Sequence, residues 1–473
     1  MRRKAVSVIL AGLMAAGMLA GCGGSGSSSA SSSASAADSG SAAADSTTVA
    51  SGSSSEAVAS TSGTTSASGD QDFSGVTISM MADTDTLASN NGITAVIDAA
   101  EKKFGFTITM ESRVGGTEGD NLMKTRLASG DMTDITLYNS GSLLGAVNPA
   151  QNFVDITDQD FVSTYDDTYK STVTVDDKVY GIPLESTQGG AIMYNKAIYK
   201  ELGLEVPKTW DDFISNCQAI KDAGYTALIG TFGDSWTSQV LFLGDNYNVI
   251  AANPDFAEKF EAGEAKFSTV KEATESFSKY GDLLDFYNKD YLSAKYADGC
   301  EMLANKQGAQ WIMLTQALGA INTDYPDVMD DMGVFAIPGD SADSNGLTVW
   351  YPSSWYINKN TKNLDACLAL MKFWCSKEGI EIYTQNRMPN GPSCIKGIEL
   401  GEDVPEAVRV DMQSYFDDGN TLPALEFLTA VKGPNCPNIC QEVASGQTTG
   451  EEAAAKYDED CKNQAIQLGL NWS

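Results

Sequence analysis

The chain has 473 residues, with 31 Lys and Arg against 63 Asp and Glu, a formal net charge of −32 and no histidine. The missing histidine excludes Ser-His-Asp and Cys-His nucleophile pairs, His zinc ligands and any base that titrates unperturbed near pH 7. The acidity argues against nucleic acid as a partner, because phosphates would be repelled before a specific contact formed. A hydrophobic content of 42% and an aromatic content of 9% belong to a globular protein, and at about 150 residues per domain the length allows roughly two or three domains.

Arg2, Arg3 and Lys4 precede an apolar run, Ala5 to Ala20, that is shorter than the roughly 20 residues of a membrane span. It ends in Leu19-Ala20-Gly21-Cys22, which resembles a bacterial lipobox. Residues 1–21 are therefore expected to be a signal peptide, with Cys22 the site of lipidation. The membrane is then engaged through a lipid rather than a transmembrane helix. Residues 22–72 continue as Ser, Ala, Gly and Thr, too poor in large apolar side chains to bury a core. As a flexible coil, this stretch would span roughly 35 to 42 Å, a passive spacer.

From Phe73 the pattern becomes periodic. Val76 to Met81 reads as a strand, Ile93 to Phe104 as an amphipathic helix, Phe106 to Met110 as a strand, Glu118 to Ala128 as a helix and Ile135 to Tyr138 as a third strand. Such alternation predicts βαβ units and a largely parallel sheet. Ligands on these sheets sit beyond the carboxyl ends of the strands, which singles out Asp83 and Asp85 after the first strand and Asn139 and Ser140 after the third. Short polar residues there also serve as helix caps. Further on, Thr209 before Trp210-Asp211-Asp212 predicts a capped helix start.

Several segments then occur in a recognisable order. They are Ala128-Ser129-Gly130-Asp131 with Thr133-Asp134-Ile135, Tyr180-Gly181-Ile182-Pro183, Tyr194-Asn195-Lys196, Gly203-Leu204, and Pro207-Lys208-Thr209-Trp210-Asp211-Asp212-Phe213. Asp298-Gly299-Cys300-Glu301-Met302 running to Gln310-Trp311, Phe335-Ala336-Ile337-Pro338-Gly339, and Glu378-Gly379 follow. Together they resemble family 1 extracellular solute-binding proteins, the sugar-binding lipoproteins of ABC importers related to maltose-binding protein. The sequence departs at Thr133, where Pro is usual, and at Cys300 and Glu301, where Lys and Ala are usual.

The resemblance implies an α/β, two-lobed periplasmic-binding-protein-like fold with discontinuous lobes, a hinge and an interlobe cleft. Residues 73–184 and 351–410 would form lobe 1, and residues 185–350 and 411–473 lobe 2. It implies ligand contact by Trp311, stacking on a sugar face, by Trp236, by Trp350 and Tyr351 at the crossing between lobes, and by Glu185 just after the hinge-like Pro183. Apolar ring faces and charged or amide partners suit sugars, whose C–H faces are flat and whose edges carry hydroxyls. Arg387 is expected in a surface ion pair, Trp355 and Trp374 in the core, and the Asp155 to Asp160 run on a solvated face, since it lacks the glycine and spacing of an EF-hand loop.

With Cys22 assigned to lipid, eight cysteines remain, and eight allow 105 pairings. Cys436-Pro437-Asn438-Ile439-Cys440 lacks a second pair, so no metal and no cofactor is expected. The expected function is non-enzymatic: a monomeric, lipid-anchored protein on the outer face of a cell membrane, of the Gram-positive kind, that captures a carbohydrate by lobe closure and passes it to the transmembrane subunits of an ABC permease. A secreted glycoside hydrolase with two carboxylates, which needs no histidine, and a sugar-sensing lipoprotein for a membrane sensor are the alternatives.

Overall fold

The computed structural model describes residues 71–472; the expected signal peptide, Cys22 and nearly all of the linker lie outside the described residues. Strand β1, Thr77–Asp83, is an inner strand buried on both faces, with Ile78, Met80, Met81 and Ala82 all in the core. Helix α1, Asn91–Phe104, buries Ile93, Val96 and Ala100, one stripe at helical spacing, and stops at Gly105, whose φ of 79° suits a residue without Cβ. Then come β2, Thr107–Arg113, α2, Gly116–Ser129, β3, Ile135–Tyr138, a single-turn α3, Ser142–Gly145, and β4, Gly181–Pro183.

The chain continues with β5, Gln188–Asn195, α4, Trp210–Asp222, β6, Thr226–Ile229, α5, Lys271–Leu283, α6, Tyr296–Ala304, β7, Gly308–Leu314, α7, Gln316–Asp324, β8, Met332–Ala336, and β9, Leu347–Trp350. Strand β10, Ser354–Ile357, and helices α8, Leu364–Trp374, and α9, Lys377–Asn386, follow. After a π-helix at Ala407–Met412 the chain closes with β11, Thr421–Pro423, α10, Leu425–Leu428, α11, Cys436–Ala444, and α12, Gly450–Gln467. At α4 the Thr209 hydroxyl accepts the Asp212 N–H at 3.2 Å, as the sequence predicts.

The first sheet has the order β2-β1-β3-β10-β4, and the second contains β11-β9-β5-β7-β6 with β8 also paired to β5. The expectation of a largely parallel arrangement holds for β1, β2 and β3. It holds also for β6 with β7 and for β9 with β11, but not at the crossing strands: β10 runs antiparallel to β3 and β4, and β5 runs antiparallel to β7, β8 and β9. These strands enter their sheets after crossing from the other sheet, so they are not linked to a neighbour by a βαβ unit.

Their directions have a consequence for the site. In the first sheet β1, β3 and β4 all end on one edge, at Asp83, Tyr138 and Pro183. In the second, β6, β7, β9 and β11 end on one edge, at Ile229, Leu314, Trp350 and Pro423. The chain passes from Pro183 to Gln188 and from Trp350 to Ser354. At no more than about 3.6 Å per residue, those links hold the edges within roughly 18 and 14 Å of each other. The carboxyl ends of both sheets therefore face one another across the crossings.

Candidate functional site

Between these edges lies a cavity of about 380 Å³ that brings together four of the residues singled out from sequence, Asn139, Ser140, Trp350 and Tyr351. Asn139 and Ser140 follow β3, and each is fixed through the crossing: the Asn139 carbonyl accepts the Tyr356 hydroxyl at 3.0 Å, and the Ser140 hydroxyl donates to the Pro352 carbonyl at 3.0 Å. Trp350 ends β9 and donates its indole N–H to Glu426 Oε1 at 2.6 Å. The other oxygen of that carboxylate takes the Lys432 ammonium. Tyr351 sets its ring edge-on to Phe427, 6.1 Å between centroids and 89° between planes, while its hydroxyl approaches Asp166 at 3.4 Å. Burial, reinforced by the Asp166 carboxylate, raises the Tyr351 pKa, so the hydroxyl stays a donor at any working pH.

Glu426, Phe427 and Lys432 come from α10 and the segment after it, and the sequence reading missed them. No local pattern marks them: they follow Thr421-Leu422-Pro423, a three-residue strand that ends on the same edge and is fixed there by its pairing with β9. They touch the first sheet's side directly, since Ser142 Oγ donates to the Glu426 carbonyl at 2.7 Å and Gly141 lies against Phe427.

A second cavity, about 420 Å³, is lined by Asn91, Tyr296, Gln316, Gly319, Ala320, Thr323, Asn386, Arg387, Met388 and Asn390. Trp236 reaches this region through Tyr296, 5.5 Å between ring centroids, and Tyr296 in turn lies 5.6 Å from Trp311. Trp311 itself is in mid-strand and 1% exposed, its ring pressed on Gly299. Tyr296, not Trp311, is the ring of this trio on the cavity wall. Glu185 lines a smaller hollow beside the first crossing; its Oε2 accepts the Tyr383 hydroxyl at 3.0 Å and pairs with Arg387 Nε at 3.0 Å. The ion pair expected of Arg387 is thus made with Glu185.

Asp83 caps the short helix Thr84–Ser89, accepting the Thr86 N–H at 3.0 Å and its hydroxyl at 2.7 Å. Asp85 lies in that helix, and its side chain is outside the described residues. Trp355 and Trp374 are core residues, in a strand and on a helix, as expected. Among the described residues no group of three or more His, Cys, Asp or Glu side chains is placed to hold a metal, and no helix is long and apolar enough to cross a membrane.

Residues 95–410 match the family described as bacterial extracellular solute-binding protein, and the chain belongs to that family. Its fold is that of the two-lobed solute-binding proteins. Apo RafE from Streptococcus pneumoniae superposes with a TM-score of 0.68 at 21% identity, over 82% of this chain and 98% of that one; RafE in complex with raffinose gives 0.65, over 82% and 100%. In sequence, the multiple sugar-binding protein of Streptococcus mutans is 28% identical over 298 residues, 61% of this chain and 69% of its own length. The melibiose/raffinose/stachyose-binding protein MelE of Bacillus subtilis is 22% identical over 335 residues, 67% and 75% respectively. The family is extracellular, which places the folded body outside the cytoplasm.

Proposed function

We propose that this protein is the substrate-binding component of an ABC importer, that its cargo is a carbohydrate of oligosaccharide size, and that it delivers this cargo to a membrane permease after the lobes close on it. The observation that carries the reading is the first cavity. Three aromatic rings, an indole-bound carboxylate, an ammonium, an amide and three serine hydroxyls converge on it from both sheet edges, the mixture of flat apolar and hydrogen-bonding surface that sugars require. Relatives named for melibiose, raffinose and stachyose support the class of cargo.

In this reading lobe 1 comprises residues 73–184 and 351 to about 410, and lobe 2 the remainder. The last crossing falls before Asp411, whose carboxylate accepts the Val334 N–H at 3.2 Å. Anchoring is through the lipidated Cys22. The hydrolase alternative is disfavoured by the lining: among the described residues, Glu426 is the one carboxylate on the first cavity and none lines the second, whereas glycosidases set two carboxyl groups across the bond, about 5 to 9.5 Å apart.

The test is a thermal-shift screen against mono- and oligosaccharides, followed by calorimetry of wild type, Glu426→Gln and Phe427→Ala. A saturable shift, unaltered sugar and at least tenfold weaker binding in both variants are expected. Sugar recovered in cleaved form would reverse the non-enzymatic assignment.

A further inference from the structure

We propose that Asp411 is a pH-sensitive latch on the last passage of the chain between the two halves, closed while its side chain is a carboxylate and released when it takes up a proton. The latch needs no ligand, so it stands apart from the carbohydrate reading. Before the passage, the Lys396 N–H donates to the Thr164 carbonyl at 2.6 Å and Ile395 bridges Tyr165, whose hydroxyl donates to the Gly181 carbonyl of β4 at 3.2 Å. After it, the chain joins the second sheet as β11. Between them lies the π-helix Ala407–Met412, a rare form that occurs mostly as single turns at functional places. Its last residue, Met412, packs against both Gly189 of β5 and Gly391, which puts the π-helix where the two halves meet.

Among the described strands β8 pairs with β5 alone, so its other edge needs partners for its N–H groups. Two side chains supply them: Asp411 Oδ2 accepts the Val334 N–H at 3.2 Å and the Tyr415 hydroxyl accepts the Ala336 N–H at 3.0 Å. The same Asp411 oxygen takes the Lys196 ammonium at 3.2 Å, from the short helix Lys196–Leu202 that follows β5. Lys196 also reaches Glu406 Oε2 at 3.6 Å, so one ammonium ties the start of the π-helix and its end to the second sheet. Arg409 turns back to Glu406 at 3.4 Å. The phenols of Tyr194 on β5 and Tyr415 lie near Asp411, and burial raises both, that of Tyr194 to about 12, so both stay neutral in acid. Strand β8, Met332-Gly333-Val334-Phe335-Ala336, adds no titratable side chain.

The Asp411 side chain is only 20% exposed, and burial raises its pKa above the ordinary 3.8, opposed by Lys196 and the Val334 N–H. Protonation leaves an oxygen that still accepts the Val334 N–H but cancels the charge that holds Lys196, which then keeps only Glu406, 55% exposed. A folded pKa above the unfolded one means that the native state takes the proton more readily; the stability this group contributes is present in acid and lost as pH rises through the folded value. Acid therefore releases the latch without unfolding the protein through Asp411.

Hydrogen–deuterium exchange of the full chain, read over residues 404–417 as protection relative to the intrinsic rate, tests this from about pH 7 to about pH 4. Wild type is expected to lose at least about tenfold in protection as pH falls, the worth of one hydrogen bond to a charged group. Asp411→Asn, which keeps the shape and the acceptor for Val334, and Lys196→Met, which removes the ammonium, should each show the acid value at every pH, and the double variant should fall no lower than either; melting temperatures check that they fold. A wild-type segment whose protection is flat across the range overturns the inference whatever the variants do. So does an Asp411→Asn variant that keeps the wild-type pH profile, or a double variant in which the two losses add.

Discussion

Asp134 shows how a single side chain ties the first sheet together at the start of β3, the end away from the first cavity. Its carboxylate accepts the Ser79 N–H and hydroxyl at 2.9 Å each, the Thr361 hydroxyl at 2.5 Å and the Asn363 amide at 3.4 Å, tying β1 to the turn before β3 and to the segment leading into α8. Burial raises its pKa, but the hydrogen bonds from Ser79, Thr361 and Asn363 outweigh it and leave the group below its ordinary 3.8. A carboxylate depressed in the folded state stabilises the fold above its unfolded pKa, and that contribution disappears as pH falls through the folded value. Asp134→Ala is expected to cost about 2 kcal/mol at neutral pH. Its stability should also change less than that of wild type between pH 5 and about 3, a difference that denaturant melts across that range would read.

At the scale of elements, the contact between α3 and α10 decides whether the first cavity keeps its wall. Gly141 has φ 73°, and a Cβ there would come within 2.7 Å of the Phe427 backbone and ring. Gly141→Ala combines left-handed strain with that clash, so it is expected to destabilise by at least about 1 kcal/mol and to weaken sugar binding together with it. Thr449→Ala is the control. It breaks the capping box in which Thr449 accepts the Glu452 N–H and the Glu452 carboxylate accepts the Thr449 N–H, at a cost of about 1 kcal/mol and with no change in affinity. Much of this level was legible in the sequence. The elements β1, α1, β2, α2 and β3 and the α4 cap follow from apolar spacing and capping residues. Asn139, Ser140, Trp350 and Tyr351 follow from the end-of-strand rule and the family resemblance.

What escaped the sequence depends on pairing at a distance. Glu426 and Lys432 are six residues apart in an unremarkable stretch, and only the register of β11 on β9 brings them to Trp350. Tyr296 is one of 18 tyrosines, distinguished by where α6 starts: its N–H is held by Asp234 at 2.9 Å. Trp311 fits a motif, yet its strand position turns the ring into the core. Glu185 satisfies the end-of-strand rule, and its partners Tyr383 and Arg387 lie about 200 residues further along the chain.

For the whole molecule, the eight cysteines after Cys22 are all buried and none is bonded to another. Burial pushes the thiols of Cys217, Cys367, Cys375 and Cys461 up, those of Cys217, Cys367 and Cys461 to about 12, so thiolate, the reactive form, is scarce. Mass spectrometry after brief iodoacetamide treatment is expected to find none of the eight alkylated in the native protein and all eight in denaturant; a native disulfide would show as two unlabelled sites after denaturation. The fold then owes nothing to an oxidising exterior, and its stability should be indifferent to added reductant.

The short connections between the sheets carry a mechanical consequence. Strands that cross within three or four residues of one another leave the two halves little freedom to slide or separate; rotation about the line of the crossings is the motion left. An assembly with one free angle works as callipers do. Under the import function proposed above, the angle at which its jaws come to rest would be set by the thickness of what they hold, and a membrane partner that reads only the outer faces would tell a full grip from an empty or ill-fitting one.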